Sequence, residues 1–193
     1  MLEKTPAPIG HLLERVRAGM GKLLWEHENA QAPDSIVLTS EAFEPDTPIP
    51  ARHTADAEGL SPPLAWRDLP PAAAETVLIM EDADSPTPIP LLHLIAWGLP
   101  AGRASLSEGA LPSKGHRGRI LTVGKNSLRK TEYLPPDPPT GHGHHRYVFQ
   151  LFAVDHPLDL RPDTDKDAIL RALCGHVLAR GRLVGLYKRG TDR

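Results

Sequence analysis

The distribution of proline constrains the fold more than any other feature of this sequence. The chain has 193 residues and 21 prolines, about twice ordinary usage, yet none lies between Ile9 and Ala32 and none follows Pro162. Because proline breaks an α-helix from within, these two terminal zones are the natural places for helices. We expect the proline-rich middle of the chain to consist of short strands and turns.

Both terminal zones carry helical patterns. Apolar residues recur at three- and four-residue spacing over Ile9–Leu24, which predicts one amphipathic helix whose apolar stripe covers part of the protein's own core. In the second zone, Thr164 and Asp167 resemble a capping box, which predicts a helix that begins there and ends at Gly181.

The middle of the chain is rich in β-forming residues. From Tyr147 to Val154 both alternating sets of side chains are largely apolar, which is typical of a strand covered on both faces. We therefore predict two stacked sheets within one domain. The predicted strands are Ser35–Ser40, Thr76–Met80, Leu91–Trp97, Arg119–Val123, Arg146–Val154 and Arg182–Tyr187.

Charge, cysteine content and apolar runs exclude several classes of protein. The 22 basic and 24 acidic residues give a net charge of −2 without a basic stripe, so we expect no nucleic-acid binding. The single cysteine, Cys174, forms neither an internal disulfide nor a cysteine-based zinc site. Neither a secretion signal nor an apolar run long enough to cross a bilayer is evident. We expect a cytoplasmic protein that is not integral to a membrane.

The common catalytic signatures are absent from the sequence. It contains no G-x-S-x-G elbow, no phosphate loop of the form G-x-x-x-x-G-K-[ST], no G-x-G-x-x-G after a strand and no H-E-x-x-H. The common hydrolase, kinase and dehydrogenase classes therefore lose support, and two polar clusters attached to apolar strands remain as candidate sites.

The first cluster is the segment EDADSP, in which Asp82 and Asp84 follow a predicted strand and precede Pro86. His93 lies inside the next predicted strand. Taken alone, His93 is best explained as a core histidine with one hydrogen bond, and the aspartates as ordinary turn acids. Taken together, either aspartate can hold the His93 ring in one tautomer and raise its pKa.

The second cluster is the segment GHGHHRY. Strand alternation places the side chains of His145 and Tyr147 on one face, and the glycines around His142 allow backbone N–H groups to approach an anion. A metal site is disfavoured, because the adjacent His144 and His145 face opposite sides of a strand. We expect His142 and His144 to be solvated, and neither a metal nor a cofactor to be bound.

These residues resemble the phosphatidylethanolamine-binding protein family, also called the Raf kinase inhibitor protein family, in its bacterial branch. The resemblance runs from about residue 36 to residue 188 and rests on LSPPLAW, EDADSP, LLHLIAWGLP, GKNS and HHRYVFQLFAVD, in that order. The chain departs from the family pattern at Ala83, at Leu92 and Leu94 beside His93, and at Gly98, and it adds a segment before residue 31.

The resemblance implies a mainly β fold, a Greek-key β-sandwich of two antiparallel sheets with peripheral α-helices. It divides the chain into an N-terminal helical extension, residues 1–32, and a family domain, residues 33–193. It also implies a small anion pocket at one end of the sandwich. The ligand-binding positions expected from the chemistry and from the resemblance are Asp82, Asp84, Pro86, His93, Gly141, His145 and Tyr147.

Three functional interpretations follow, of which the first is favoured. The first is a regulatory module that binds a small anion such as phosphate or a phosphoryl headgroup. The second is a hydrolase or lyase that uses a histidine and an aspartate as general acid and base. The sequence offers no clear nucleophile for such an enzyme, because Ser85 is better explained as a turn residue. The third is docking to a protein such as a kinase or protease, or to a second copy of the chain as a homodimer.

Overall fold

The computed structural model of the protein describes residues 7–113, 122–162 and 164–190. In these residues it contains two α-helices, α1 (Ala7–Leu13) and α2 (Lys166–Leu173). The strands are β1 (Val37–Thr39), β2 (Thr47–Pro48), β3 (Leu64–Arg67), β4 (Glu75–Asp82), β5 (Leu91–Pro100), β6 (Ser105–Leu106), β7 (Thr122–Val123), β8 (His145–Val154) and β9 (Val177–Tyr187).

The strands form two sheets. The smaller sheet has the order β1-β3-β6 and the larger one β2-β9-β8-β4-β5-β7. All pairs are antiparallel except the short contact between β2 and β9. Within the larger sheet the order β8-β4-β5-β7 is a Greek-key arrangement, because β8 returns by a long connection to lie beside β4. The predicted mainly β sandwich is confirmed.

Strand β8 is buried on both faces, as its alternation predicts. Phe149 and Leu151 belong to the core between the two sheets, whereas Val148 and Phe152 belong to a second core on the outer face of the larger sheet. That outer face is covered by α2 and by the turns of residues 23–30. The second cover is therefore a helix and a turn-rich segment, and only one face of β8 meets the other sheet.

The prediction of one long N-terminal helix is wrong. Helix α1 ends at Leu13, and the chain continues through Gly19, with φ 97°, into short 3₁₀ turns at residues 20–22, 24–26 and 28–30. Gly19 adopts this positive φ without a steric cost, and the left-handed geometry is incompatible with a continuous helix. The expected core-covering role holds for Leu23 and Leu24, which are buried, but not for Leu12, which is 81% exposed.

The second helix is shorter than the pattern indicates. Its N-cap is Asp165, whose carboxylate accepts a hydrogen bond from the Ala168 amide, and not Thr164. The helix ends at Leu173, and the apolar residues from Val177 onward form β9, which pairs with β8 along its whole length. Of the strand expected at 119–123, residues 119–121 lie outside the described residues, and β7 pairs with β5. The division at residue 32 stays a prediction.

Candidate anion-binding site

Residues from three distant parts of the sequence meet at one end of the larger sheet. Antiparallel pairing sets Asp82 at the end of β4 opposite Tyr147 near the start of β8, and His93 lies in β5 on the other side of β4. The His93 and Tyr147 rings meet edge to face with centroids 5.2 Å apart, and His145 stacks on Tyr147 at 6.3 Å. All four side chains are buried. The structure thus brings together two histidines that lie 52 positions apart in the chain.

His145 is held from both sides by hydrogen bonds. Its Nδ1 lies 2.7 Å from Asp82 Oδ2, and its Nε2 lies 2.7 Å from Nδ1 of His142. The Nε2 of His142 lies 2.7 Å from the carbonyl oxygen of Leu13. An aspartate therefore orients an imidazole here as expected, but the imidazole is His145 rather than His93.

The hydrogen-bond chain fixes the number of protons on these two rings. The Leu13 carbonyl can only accept, so His142 Nε2 carries hydrogen, and an ionised Asp82 likewise requires hydrogen on His145 Nδ1. The remaining contact joins two ring nitrogens and needs one further proton. Burial lowers the pKa of His142.

His93 and Tyr147 each present a buried polar atom without a hydrogen-bond partner among the described residues. His93 Nδ1 donates to the Leu134 carbonyl at 2.7 Å, and its Nε2 forms no hydrogen bond with the part of the chain that the structure describes. Burial lowers the pKa of His93, so Nε2 carries a lone pair at neutral pH. Burial raises the pKa of the Tyr147 hydroxyl well above the usual value, while the nearby Asp137 backbone lowers it. Among the described residues, this hydroxyl has no partner in full hydrogen-bond geometry. The site thus combines an unpaired acceptor with an unpaired donor.

Asp84 is bound by arginine. Its carboxylate accepts hydrogen bonds from the Arg146 amide at 2.8 Å, from Nε at 2.7 Å and from Nη2 at 2.6 Å, and it lies 3.1 Å from Arg17 Nη1. Burial alone raises the pKa of Asp84, but the hydrogen bonds from Arg146 outweigh it and lower the pKa to about 2. Asp84 is therefore ionised under ordinary conditions and fixes the turn after β4 to the start of β8. Whether it also contacts a ligand stays a prediction.

Hydrogen bonds within the turn account for Ser85. Its hydroxyl donates to the Asp82 carbonyl at 3.2 Å, lies 2.7 Å from the Thr87 hydroxyl and accepts from the Leu91 amide. This network fits a turn serine rather than an activated nucleophile. Pro86 follows it and is half-buried.

The glycine loop before β8 brings one unexpected residue into the site. Gly141 has φ 82°, a conformation that favours glycine, and the next residue, His142, is completely buried. The expectation of a solvated His142 is wrong, whereas His144 is exposed as expected. The sequence gives no signal for this burial, because the partner of the His142 ring, Leu13, lies 129 positions away.

A separate cluster in the described part of the chain has donors suited to a transition metal. Asp155, His156 and His176 each offer a ligand atom, and these atoms lie within 4.8 Å of one another. Both histidine Nδ1 atoms already contact Asp155 Oδ1, at 2.7 and 3.0 Å, so the cluster is satisfied by its own hydrogen bonds. The sequence pattern does not reveal this cluster, because the fold brings His176 into contact with Asp155, 21 positions away.

The fold is a Greek-key β-sandwich. Histidine, tyrosine and aspartate side chains are buried together at one end of its larger sheet. The family model for phosphatidylethanolamine-binding protein matches residues 39–188. The chain belongs to this family.

Relatives with similar sequences and folds are found in archaea and bacteria. A UPF0098 protein of Methanothermobacter thermautotrophicus is 38% identical over 153 residues, covering 79% of this chain and 99% of the relative. The crystal structure of a phosphatidylethanolamine-binding protein homologue from Chlamydia trachomatis matches with a TM-score of 0.73 and 33% identity, covering 81% of this chain and 99% of that one. The crystal structure of E. coli YbcL matches with a TM-score of 0.73 and 18% identity, covering 80% of this chain and 99% of that one. This likeness shows only that the two proteins share a fold.

Among the described residues, no helix is long and apolar enough to cross a membrane.

Proposed function

We propose that Asp82, His93, His145 and Tyr147 together form a pocket that binds a small oxyanion, either phosphate or a phosphoryl headgroup. The observation that carries the proposal is the pair of buried, unpaired polar atoms, His93 Nε2 and the Tyr147 hydroxyl, on adjoining rings. Leaving a buried polar group unpaired costs about 1–3 kcal/mol, so such groups are uncommon without a functional reason.

The hydrogen-bonding roles of these two atoms favour a protonated oxyanion. Neutral His93 accepts a hydrogen bond from a P–OH group, while the Tyr147 hydroxyl donates to an unprotonated oxygen of the same ligand. A protonated His93 bound to the fully ionised ligand contains as many protons as a neutral His93 bound to the ligand with its P–OH group. The charged and titratable groups that face His93 are Asp82, Asp137, His145 and Tyr147. A phosphomonoester dianion has no P–OH group, so either arrangement takes up a proton when it binds, and we expect O-phosphoethanolamine to bind more tightly at pH 6 than at pH 8. Hydrogen phosphate already carries a P–OH group and needs no proton uptake.

The expected affinity is modest. Each hydrogen bond to a charged group contributes about 1.5–3 kcal/mol, so two of them give roughly 3–6 kcal/mol, the range of weak, near-millimolar binding. This strength suits a ligand that is abundant or that forms part of a larger partner.

Calorimetric titration with phosphate, O-phosphoethanolamine and ethanolamine at pH 6 and 8 tests the proposal. We expect the two phosphate compounds to bind and ethanolamine not to bind, with at least a tenfold loss of affinity in His93→Gln and Tyr147→Phe. His53→Gln is the matched control, because His53 is also buried with its Nδ1 on a carbonyl, that of Leu60. Equal heats from ethanolamine, or an equal loss in the control, would contradict the proposal.

We further propose that the protein acts as a regulatory binding module in the cytoplasm, with a kinase or protease as the kind of protein partner it would serve. Hydrolase or lyase chemistry in the same pocket is the alternative. The hydrogen bonds of Ser85 favour binding over catalysis. Multiple turnovers of a phosphoester that are abolished in His145→Ala would instead establish the enzyme.

A further inference from the structure

The N-terminal strap, defined as residues 7–19, lies against the segments that carry the pocket. At its C-terminal end, the amide of Ala18 donates to the Ser85 carbonyl at 3.0 Å and that of Gly19 donates to the Ala83 carbonyl at 2.7 Å. These bonds tie the strap to the turn between β4 and β5, next to Asp82.

The strap also binds the glycine loop before β8. Arg17 donates from Nη2 to the His142 carbonyl at 3.0 Å and from Nη1 to the His144 carbonyl at 2.8 Å. Its guanidinium reaches Asp84 as well. One side chain therefore joins the strap to both segments that carry pocket residues.

Helix α1 packs against the same loop at backbone distance. A Cβ atom placed on Gly10 would lie 1.9 Å from the carbonyl oxygen of Thr140 and 3.2 Å from the carbonyl carbon of Gly141. Only glycine allows this approach, since backbone atoms cannot move aside as a flexible side chain can.

The strap reaches His145 of the pocket through His142. The Leu13 carbonyl holds the His142 ring, and that ring occupies Nε2 of His145. With the strap in place, His145 has no N–H left for a ligand, and His93 and Tyr147 are at most 1% exposed. Release of Leu13 frees His142 and thereby makes Nε2 of His145 available to a ligand as a third polar atom.

We propose that the strap is a built-in gate of the anion pocket: when closed, it keeps Nε2 of His145 occupied through His142, and anion binding displaces it. This inference rests on the proposed function and extends it to the regulation and ligand selectivity of the same site. The three donors and acceptors in His93, His145 and Tyr147 act together only when the strap is open.

The strap is built to move independently of the rest of the extension. Its apolar residues Leu12 and Val16 are 81% and 47% exposed, and a seven-residue helix has little stability of its own. Beyond Gly19 the chain is locked, because Leu24 and Trp25 are buried and their amides donate to Glu81 and Gln150. Gly19 is the hinge that this contrast indicates. The strap also precedes residue 39, where the family match begins.

Gly10→Ala in the full-length chain tests the gate, with phosphate as the ligand. Alanine favours helix over glycine, so any opening is due to the clash with Thr140. If closed molecules outnumber open ones by about ten to one, abolishing closure tightens the apparent Kd for phosphate about tenfold. Gly21→Ala is the matched control, because its Cβ meets open space.

A second pair of variants separates gating from direct binding by arginine. Arg17→Gln removes the bonds to the glycine loop, and we expect it to tighten phosphate binding. If Arg17 were itself an anion ligand, the same substitution would weaken binding. Arg15→Gln, at an exposed position on the same segment, controls for the loss of charge. Hydrogen exchange at the Ala18 and Gly19 amides should accelerate at saturating phosphate relative to chloride of equal ionic strength.

The possible results separate the two proposals. Tighter binding in Gly10→Ala and Arg17→Gln, together with faster exchange at the strap amides, supports both. Equal binding in all variants with unchanged exchange overturns the gate and leaves the anion site in place. No phosphate binding by any variant, including Gly10→Ala, overturns the anion site and the gate together.

Discussion

Replacing Asp84 with asparagine tests how firmly the turn that carries the pocket is held. Hydrogen bonds from Arg146 lower the Asp84 pKa from its ordinary 3.8 to about 2, which corresponds to about 2.5 kcal/mol of stability at neutral pH. Because the folded pKa lies below the unfolded one, this contribution is complete above about pH 5 and is lost as the pH falls through 3.8 toward 2. By pH 3, about 1 kcal/mol of it is lost.

Urea unfolding of the wild type and of Asp84→Asn at pH 7 and pH 3 measures this difference. We expect the variant to be less stable by about 2–3 kcal/mol at pH 7 and the gap to narrow by about 1 kcal/mol at pH 3. Asp68→Asn is the control: Asp68 pairs with Arg67 on the surface, and asparagine tolerates its positive φ of 67°. We expect the control to stay within about 0.5 kcal/mol of the wild type. A gap that is independent of pH, or no larger than in the control, would refute the assignment.

Three further outcomes follow from the structure. Tyr147→Phe removes a buried hydroxyl without a partner, so its urea midpoint should not fall even though phosphate binding weakens; a large loss of stability would contradict this. Glu81→Gln removes the charged partner of Lys166 at a buried position, and we expect it to lower the free energy of unfolding in urea by about 2–4 kcal/mol. Burial lowers the pKa of His93, so the contribution of the neutral His93 ring to stability is complete above pH 6.5 and declines at lower pH. We expect the stability of His93→Gln in urea to decline less over the same pH range. Equal declines in the variant and the wild type would contradict this expectation.

Local sequence patterns predicted the β-structure well, because alternation and proline placement act within each strand. The apolar pattern on both sides of β8 correctly predicted that this strand is buried on both faces. The prediction of one long N-terminal helix is wrong because tertiary contacts determine the path of this segment. Leu24 and Trp25 are buried through 3₁₀ turns whose amides bind Glu81 and Gln150, partners that no helical pattern reveals.

The candidate site was predictable as a set of residues but not as a set of contacts. The register of β4 with β8 joins Asp82 to His145, and the Leu134 carbonyl, rather than a carboxylate, holds His93. These pairings depend on strand register and loop path, which spacing alone does not determine. The role of His142 depends on a segment that precedes the family match, and no motif in the sequence links the two.

The most direct measurement is a crystal structure of the Gly10→Ala protein soaked in arsenate at pH 6, with the anomalous signal of arsenic used to locate the anion. A peak within hydrogen-bond distance of both His93 Nε2 and the Tyr147 hydroxyl, with His142 moved away from His145, is the predicted result. Arsenate found only on surface arginines, with the His93 and Tyr147 rings still in edge-to-face contact, would contradict the assignment of an anion site.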